Sequence, residues 1–147
     1  MEAWVRFLRA HAAITRQFTS ELVATHGLTL NDYEVLLHLS RAPDRSLRRV
    51  DLSERVLLTP SGITRLLSGL ERAGYVTRRD CEADARVTYA VLTDDGLEKL
   101  RRASETHLAS VRALFSERFE KGELETLASL LDRLPMREGD DGACEPD

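Results

Sequence analysis

The run from Thr59 to Leu92 constrains the fold more than any other feature, because its periodicity changes once, at a glycine. Thr59-Pro60-Ser61 has the layout of a helix start: a hydroxyl residue to cap, then a proline whose missing N–H costs nothing at the first helical position. Ile63, Leu66, Leu67 and Leu70 recur at helical spacing to about Ala73, and Gly74 supplies the stop. Beyond it, Tyr75-Val76-Thr77-Arg78 and Val87-Thr88-Tyr89-Ala90-Val91-Leu92 are β-branched and aromatic, as strands are. The polar span Arg79 to Arg86 between them reads as the tip of a hairpin. Upstream, residues 49–56 read as a short helix with Val50, Leu52 and Val56 inward. Two short helices, a tight turn and a hairpin make a winged helix–turn–helix.

Helices are expected on both flanks. Trp4, Phe7, Leu8, His11, Ile14, Phe18 and Leu22 form one stripe over residues 2–26, ended by Gly27. Thr29, with Asp32 three residues on, caps a second helix that turns Tyr33, Val35, Leu36, Leu37 and Leu39 inward and stops before Pro43; residues 40–47 read as a turn. Thr93-Asp94-Asp95 starts a helix reaching about Phe119, and a final one covers about 121–134. At 1.5 Å per residue the 94–119 helix is about 40 Å long, more than a core built from residues 30–92 can cover. Its apolar stripe and that of the first helix therefore need a second copy of the chain. Leu8, Leu108, Val111, Leu114, Phe115, Leu127 and Leu131 are the residues assigned to that dimer interface. The expected fold is mainly α with a small β-hairpin wing, a winged helix–turn–helix flanked by N- and C-terminal dimerisation helices. It forms a single domain over 1–135, with dimerisation helices in 1–27 and 94–135, a DNA-binding lobe in 28–93, and a disordered acidic tail in 136–147.

The net charge of −4 argues against a nucleic-acid partner until its distribution is considered. Residues 45–79 carry eight arginines against Asp51, Glu54 and Glu71, whereas residues 94–147 carry eight basic and fourteen acidic groups. A basic middle beside an acidic C-terminal third suits an anionic surface, although arginines also simply solvate helix faces. In a winged helix–turn–helix the second helix enters the major groove N-terminus first. There Thr59, Ser61, Gly62, Thr64 and Ser68 are small enough for close approach, and Arg65 has the planar fork that matches guanine. Thr59 and Ser61 also serve as caps. In the hairpin, Asp84 is placed to hold the Arg86 guanidinium by a bidentate pair and so present it to a minor groove.

Other function classes fare worse. There is no phosphate-cradling glycine loop, no Gly-x-Ser-x-Gly, and no Cys/His spacing for a metal, so neither an enzyme nor a cofactor or metal is expected. A protein–protein adaptor that borrowed the fold is the remaining alternative, and Arg65 and Arg86 weigh against it. No apolar run is long enough to span a membrane and no signal peptide is evident, so a cytoplasmic, nucleoid-associated location is expected.

Asp84-Ala85-Arg86, six residues before Leu92-Thr93-Asp94-Asp95-Gly96, resembles the wing signature of the multiple-antibiotic-resistance repressor (MarR) family. Thr59-Pro60-Ser61-Gly62-Ile63-Thr64-Arg65 is similar to that family's recognition-helix entry, and Leu66-Leu67 with Leu70-Glu71-Arg72-Ala73-Gly74-Tyr75-Val76-Thr77-Arg78 to its exit. The resemblance spans about residues 4–134. It implies a homodimeric regulator, usually a repressor, on a pseudo-palindromic operator, with the terminal helices as the dimer interface. Two departures stand out. Leu57 occupies a turn position where the family often has glycine, so the turn is expected to form without a free left-handed residue. Residues 2–26 lack the reactive cysteine of the peroxide-sensing branch, and Cys81 reads either as an inert surface thiol or as an oxidisable one.

Many members of this family are released from DNA by a small aromatic or anionic effector. The resemblance therefore implies an effector crevice, for which Trp4, His11, Arg16, Tyr33 and His38 are candidates. Trp4, Asp51 and Arg86 look like the urate-responsive branch. Trp4 and His11 equally fit simple packing at the dimer interface.

Overall fold

The computed structural model describes residues 1–80 and 87–135. The elements run α1 (Glu2–His26), α2 (Leu30–Arg41), a 3-10 turn (Pro43–Arg45), β1 (Ser46–Arg48), α3 (Arg49–Arg55), α4 (Pro60–Arg72), β2 (Val76–Asp80), β3 (Thr88–Leu92), α5 (Asp94–Ser116) and α6 (Lys121–Leu131). The expected tail, 136–147, lies outside the described residues.

The helix ends follow from local chemistry. Gly27 closes α1 at φ +66°, its N–H donating to the carbonyl of Val23. Thr29 and Asp32 form a reciprocal capping box on α2, with Asp32 N donating to Thr29 Oγ1 at 3.1 Å and Thr29 N to Asp32 Oδ2 at 2.8 Å. Thr59 caps α4, and Gly74 at φ +78° turns the chain into β2. Thr93 Oγ1 accepts from Gly96 N at 2.9 Å at the start of α5 and donates to Gly74 O at 2.8 Å, joining the exit of α4 to the entry of α5.

The chain forms two compact units that meet between Leu108 and Ala109 in sequence. In the first, Leu36, Leu39, Leu52, Ile63, Leu67, Leu70 and Val76 are almost wholly buried in one cluster fed by α2, α3, α4 and the sheet. Each such side chain contributes about 1.5–3 kcal/mol relative to exposure. This core fixes the angle between α3 and α4 and the root of the hairpin. In the second unit, the N–H groups of Arg118 and Phe119 both donate to the Phe115 carbonyl, and Glu120 and Glu123 form a capping box on α6.

Several expectations require correction. Residues 40–47 are not all turn: Ser46–Arg48 is a third strand, antiparallel to β3 with Leu47 opposite Ala90, and the sheet order is β1-β3-β2. Val50 is not inward but 56% exposed. The seven-residue α3 buries Leu52 and Ser53, with Val56 buried at its C-cap, and Val50 falls about 200° around the axis from Leu52. The Leu57 turn does use a left-handed residue, Leu57 itself at φ +52°, with its side chain 79% exposed. The long helix stops at Ser116 rather than Phe119, where the tight turn at Arg118 and the Glu120 cap intervene, and α6 stops at Leu131 rather than 134.

Candidate nucleic-acid interface

The outward face of α4 is built by the inward pull of its apolar face. Ile63, Leu67 and Leu70 are buried, which forces Ser61, Thr64, Arg65, Ser68 and Arg72 outward, and all five are exposed. Ser61, Arg65, Ser68 and Arg72 follow one another by four, three and four residues and so form a single stripe. Thr59 Oγ1 accepts from Gly62 N at 3.1 Å. A Cβ on Gly62 would sit 3.1 Å from that same oxygen, so the glycine keeps the cap unobstructed.

The hydroxyls of this outward face are turned back on the helix. Thr64 Oγ1 donates to Pro60 O at 2.7 Å and Ser68 Oγ donates to Thr64 O at 2.9 Å, while Ser61 Oγ lies 3.2 Å from Thr59 Oγ1. With their single protons held there, neither Thr64 nor Ser68 has a hydroxyl proton to offer outward, and both present small surfaces. Arg72 Nε also bonds back, to Ser68 O at 3.2 Å. Arg65 has no partner among the described residues, and its whole fork faces solvent.

The arginines around it divide by pairing. Asp51 holds Arg48 by two bonds of 2.9 and 3.0 Å and raises its pKa, Arg45 pairs with Asp94 at 2.8 Å, and Arg78 pairs with Asp80 at 3.7 Å. Arg79 donates to Ser46 Oγ at 3.1 Å and lies 5.4 Å from the centre of the Tyr89 ring, which stiffens the hairpin root. Among the described residues no carboxylate pairs with Arg49, Arg55, Arg65, Arg72 or Arg79. A cavity of about 310 Å³ lies between α3, α4 and the start of β3, lined by Arg48, Arg49, Val50, Pro60, Thr64 and Thr88 among others. Sequence reasoning passed over Arg49, whose guanidinium donates to the Thr64 hydroxyl. No local pattern signals a bond between residues fifteen positions apart.

The expected wing residues Asp84 and Arg86, together with Cys81, lie outside the described residues. The described effector candidates are spread over three helices. Trp4, His11 and Arg16 are exposed on α1, Tyr33 is buried on α2 with its hydroxyl 3.2 Å from Ser104 Oγ, His38 is half-buried on α2, and Asp51 on α3 is engaged by Arg48. None of these six lines that cavity. Tyr33 packs instead against His107 at 4.9 Å, whose other side meets Phe18 edge-on at 5.0 Å. Burial among these rings pushes the His107 imidazole below its usual pKa, and the Glu21 carboxylate partly offsets the shift. Of the interface candidates, Leu8 and Leu131 are exposed, Leu108, Val111, Phe115 and Leu127 are half-buried, and Leu114 is already buried within the chain. No described helix is long and apolar enough to cross a membrane, and no group of three or more His, Cys, Asp or Glu among the described residues is placed to hold a metal ion.

The helix pair, the exposed stripe on its second helix and the sheet behind it define a winged helix–turn–helix of the kind found in transcription regulators. A profile of the MarR family matches residues 26–87. AbsC, a MarR family transcriptional regulator of Streptomyces coelicolor, is 35% identical in sequence and superimposes with a TM-score of 0.78 over 88% of this chain and 86% of its own. Sco3205, a MarR family regulator of the same organism solved in complex with DNA, is 28% identical with a TM-score of 0.81 over 88% and 81% of the two chains. The HTH-type transcriptional repressor YetL of Bacillus subtilis is 31% identical over 116 residues, which is 77% of this chain and 70% of that one. The chain belongs to the MarR family. That places it among transcriptional regulators and not among enzymes.

Proposed function

We propose that the protein is a homodimeric repressor that binds a pseudo-palindromic DNA operator, inserting α4 of each copy into a major groove. One observation carries this: α4 presents Ser61, Arg65, Ser68 and Arg72 as an uninterrupted outward stripe in which the Arg65 fork has no partner among the described residues. Small residues permit close approach and the open fork matches the paired acceptors of guanine. The DNA complex of Sco3205 supports the same use of the fold, and the name of YetL supports repression. Dimerisation is supported by the apolar residues left uncovered on α1, where Trp4 (58% exposed), Val5, Phe7 and Leu8 lie within two turns. In the second unit Leu130, Leu131 and Leu134 are likewise uncovered. Release from DNA by a small aromatic or anionic effector belongs to the same reading, with Trp4, His11, Arg16, Tyr33, His38 and Asp51 on α1, α2 and α3 as its candidate residues.

The test is selection of bound genomic fragments with the full chain, followed by mobility shift of the recovered site. Arg65→Ala should weaken binding by about 1–3 kcal/mol and relax preference at one base pair in each half-site. Half-site centres should lie about 34–36 Å apart, one turn of the duplex, or a multiple of that. Recovery of no preferred sequence, or an Arg65→Ala variant with unaltered preference, defeats the assignment.

A further inference from the structure

Arg49 is the first residue of α3, the first helix of the helix–turn–helix. Its guanidinium reaches across to α4 and donates to Thr64 Oγ1. The Thr64 proton is committed to Pro60 O at 2.7 Å, so the hydroxyl is both donating and accepting within the protein. What this pair turns toward the cavity is therefore not a free hydroxyl but the rest of the arginine fork. The neighbouring charges underline the difference. Arg48, one residue earlier, is neutralised by Asp51 with two bonds of 2.9 and 3.0 Å, whereas among the described residues no carboxylate pairs with Arg49.

In a helix–turn–helix the first helix crosses the sugar–phosphate backbone while the second enters the groove. A guanidinium on the first helix, anchored at one end and uncompensated in charge, suits a phosphate oxygen, which it can bind through two parallel N–H donors. We propose that Arg49 is a phosphate-contact residue and that Thr64 is its positioning residue, so that Thr64 acts on DNA through the arginine it orients. This rests on the DNA-binding reading above.

The phosphate contribution is independent of sequence, so a fluorescein-labelled mixed-sequence duplex of about 30 base pairs is a sufficient probe. Anisotropy titrations of the full-length protein between about 50 and 200 mM salt give both affinity and the slope of log K against log salt. Arg49→Ala should weaken binding about fivefold and make the slope shallower by about one, the signature of one lost phosphate contact. Arg49→Lys keeps the charge and should retain most of the slope while losing the bond to Thr64. Thr64→Val should weaken binding, Thr64→Ser should restore it, and Arg49→Ala/Thr64→Val should be no weaker than Arg49→Ala alone. Thermal melting by circular dichroism accompanies each variant; where Arg49→Ala melts early, the comparison of Arg49→Lys with wild type on Thr64→Val and Thr64→Ser backgrounds decides instead. Wild-type slope and affinity in Arg49→Ala, or full additivity with Thr64→Val, overturn the inference alone. A wild-type protein whose binding to the duplex has no salt dependence overturns the DNA-binding reading and the inference with it.

Discussion

Replacing Gly96 by alanine is expected to be strongly destabilising, although helix propensity alone gives the opposite sign. Gly96 lies in the first turn of α5, where alanine is favoured over glycine by about 1 kcal/mol. A Cβ built there, however, falls 2.1 Å from the Tyr75 carbonyl oxygen and 2.8 Å from Leu92 Cδ1. The first of these is backbone and cannot rotate away. Relief requires the start of α5 to move from Tyr75 by about 1.4 Å, the gap between that contact and an ordinary packing distance of about 3.5 Å. The same region carries the bonds from Thr93 N to Tyr75 O (3.1 Å) and from Thr93 Oγ1 to Gly74 O (2.8 Å). Overpacking at about 1–3 kcal/mol and weakening of those bonds at about 1 kcal/mol each outweigh the propensity gain of about 1 kcal/mol, leaving a net loss of about 2–4 kcal/mol. Gly69 in α4 provides the control, because a Cβ there meets nothing within 4 Å. Gly69→Ala should gain about 0.5–1 kcal/mol. In thermal unfolding at matched protein concentration, Gly96→Ala should melt about 8–16 °C below wild type and Gly69→Ala about 2–4 °C above it. A Gly96→Ala protein as stable as wild type, or equal losses in the two variants, refutes the reasoning.

Leu57→Gly should raise stability by about 0.5–1 kcal/mol, since it relieves a left-handed leucine whose exposed side chain contributes little burial; calorimetry showing a lower melting temperature would reveal contacts that the side chain makes. His107 is depressed in the fold, so the unfolded chain binds the proton more readily; its contribution is present above about pH 6.5 and is lost as pH falls through the folded pKa. Urea midpoints measured from neutral to mildly acid pH should fall for wild type and fall less for His107→Leu, and parallel curves would acquit the histidine. Leu8→Glu should yield monomers in sedimentation velocity while leaving α4 folded by circular dichroism; a variant that remains dimeric moves the interface elsewhere.

Features written over three or four residues were legible in the sequence. Thr29, Thr59 and Thr93 bond groups a single turn away, so their caps and the order of helices follow from local chemistry. The outward stripe of α4 was equally accessible from spacing, because four buried or half-buried apolar positions fix the phase of a thirteen-residue helix. The phase of α3 was not, since two turns allow Val50 inward as readily as outward. Strand β1 was hidden because Ser46-Leu47-Arg48 is too short for its alternation to register and owes its extended state to Val91, Ala90 and Tyr89, more than forty residues on. Arg49 escaped for the same reason: its meaning lies in Thr64 across the turn. At Leu57 the backbone is left-handed against the preference of the residue itself, which composition and spacing do not signal.

The short strand has a mechanical consequence. Arg48 is opposite Tyr89 in the sheet and Arg49 begins the next helix, with no residue between them to act as a hinge. A displacement of β3 is thus passed through the paired strand β1 directly into α3, with no flexible joint to absorb it.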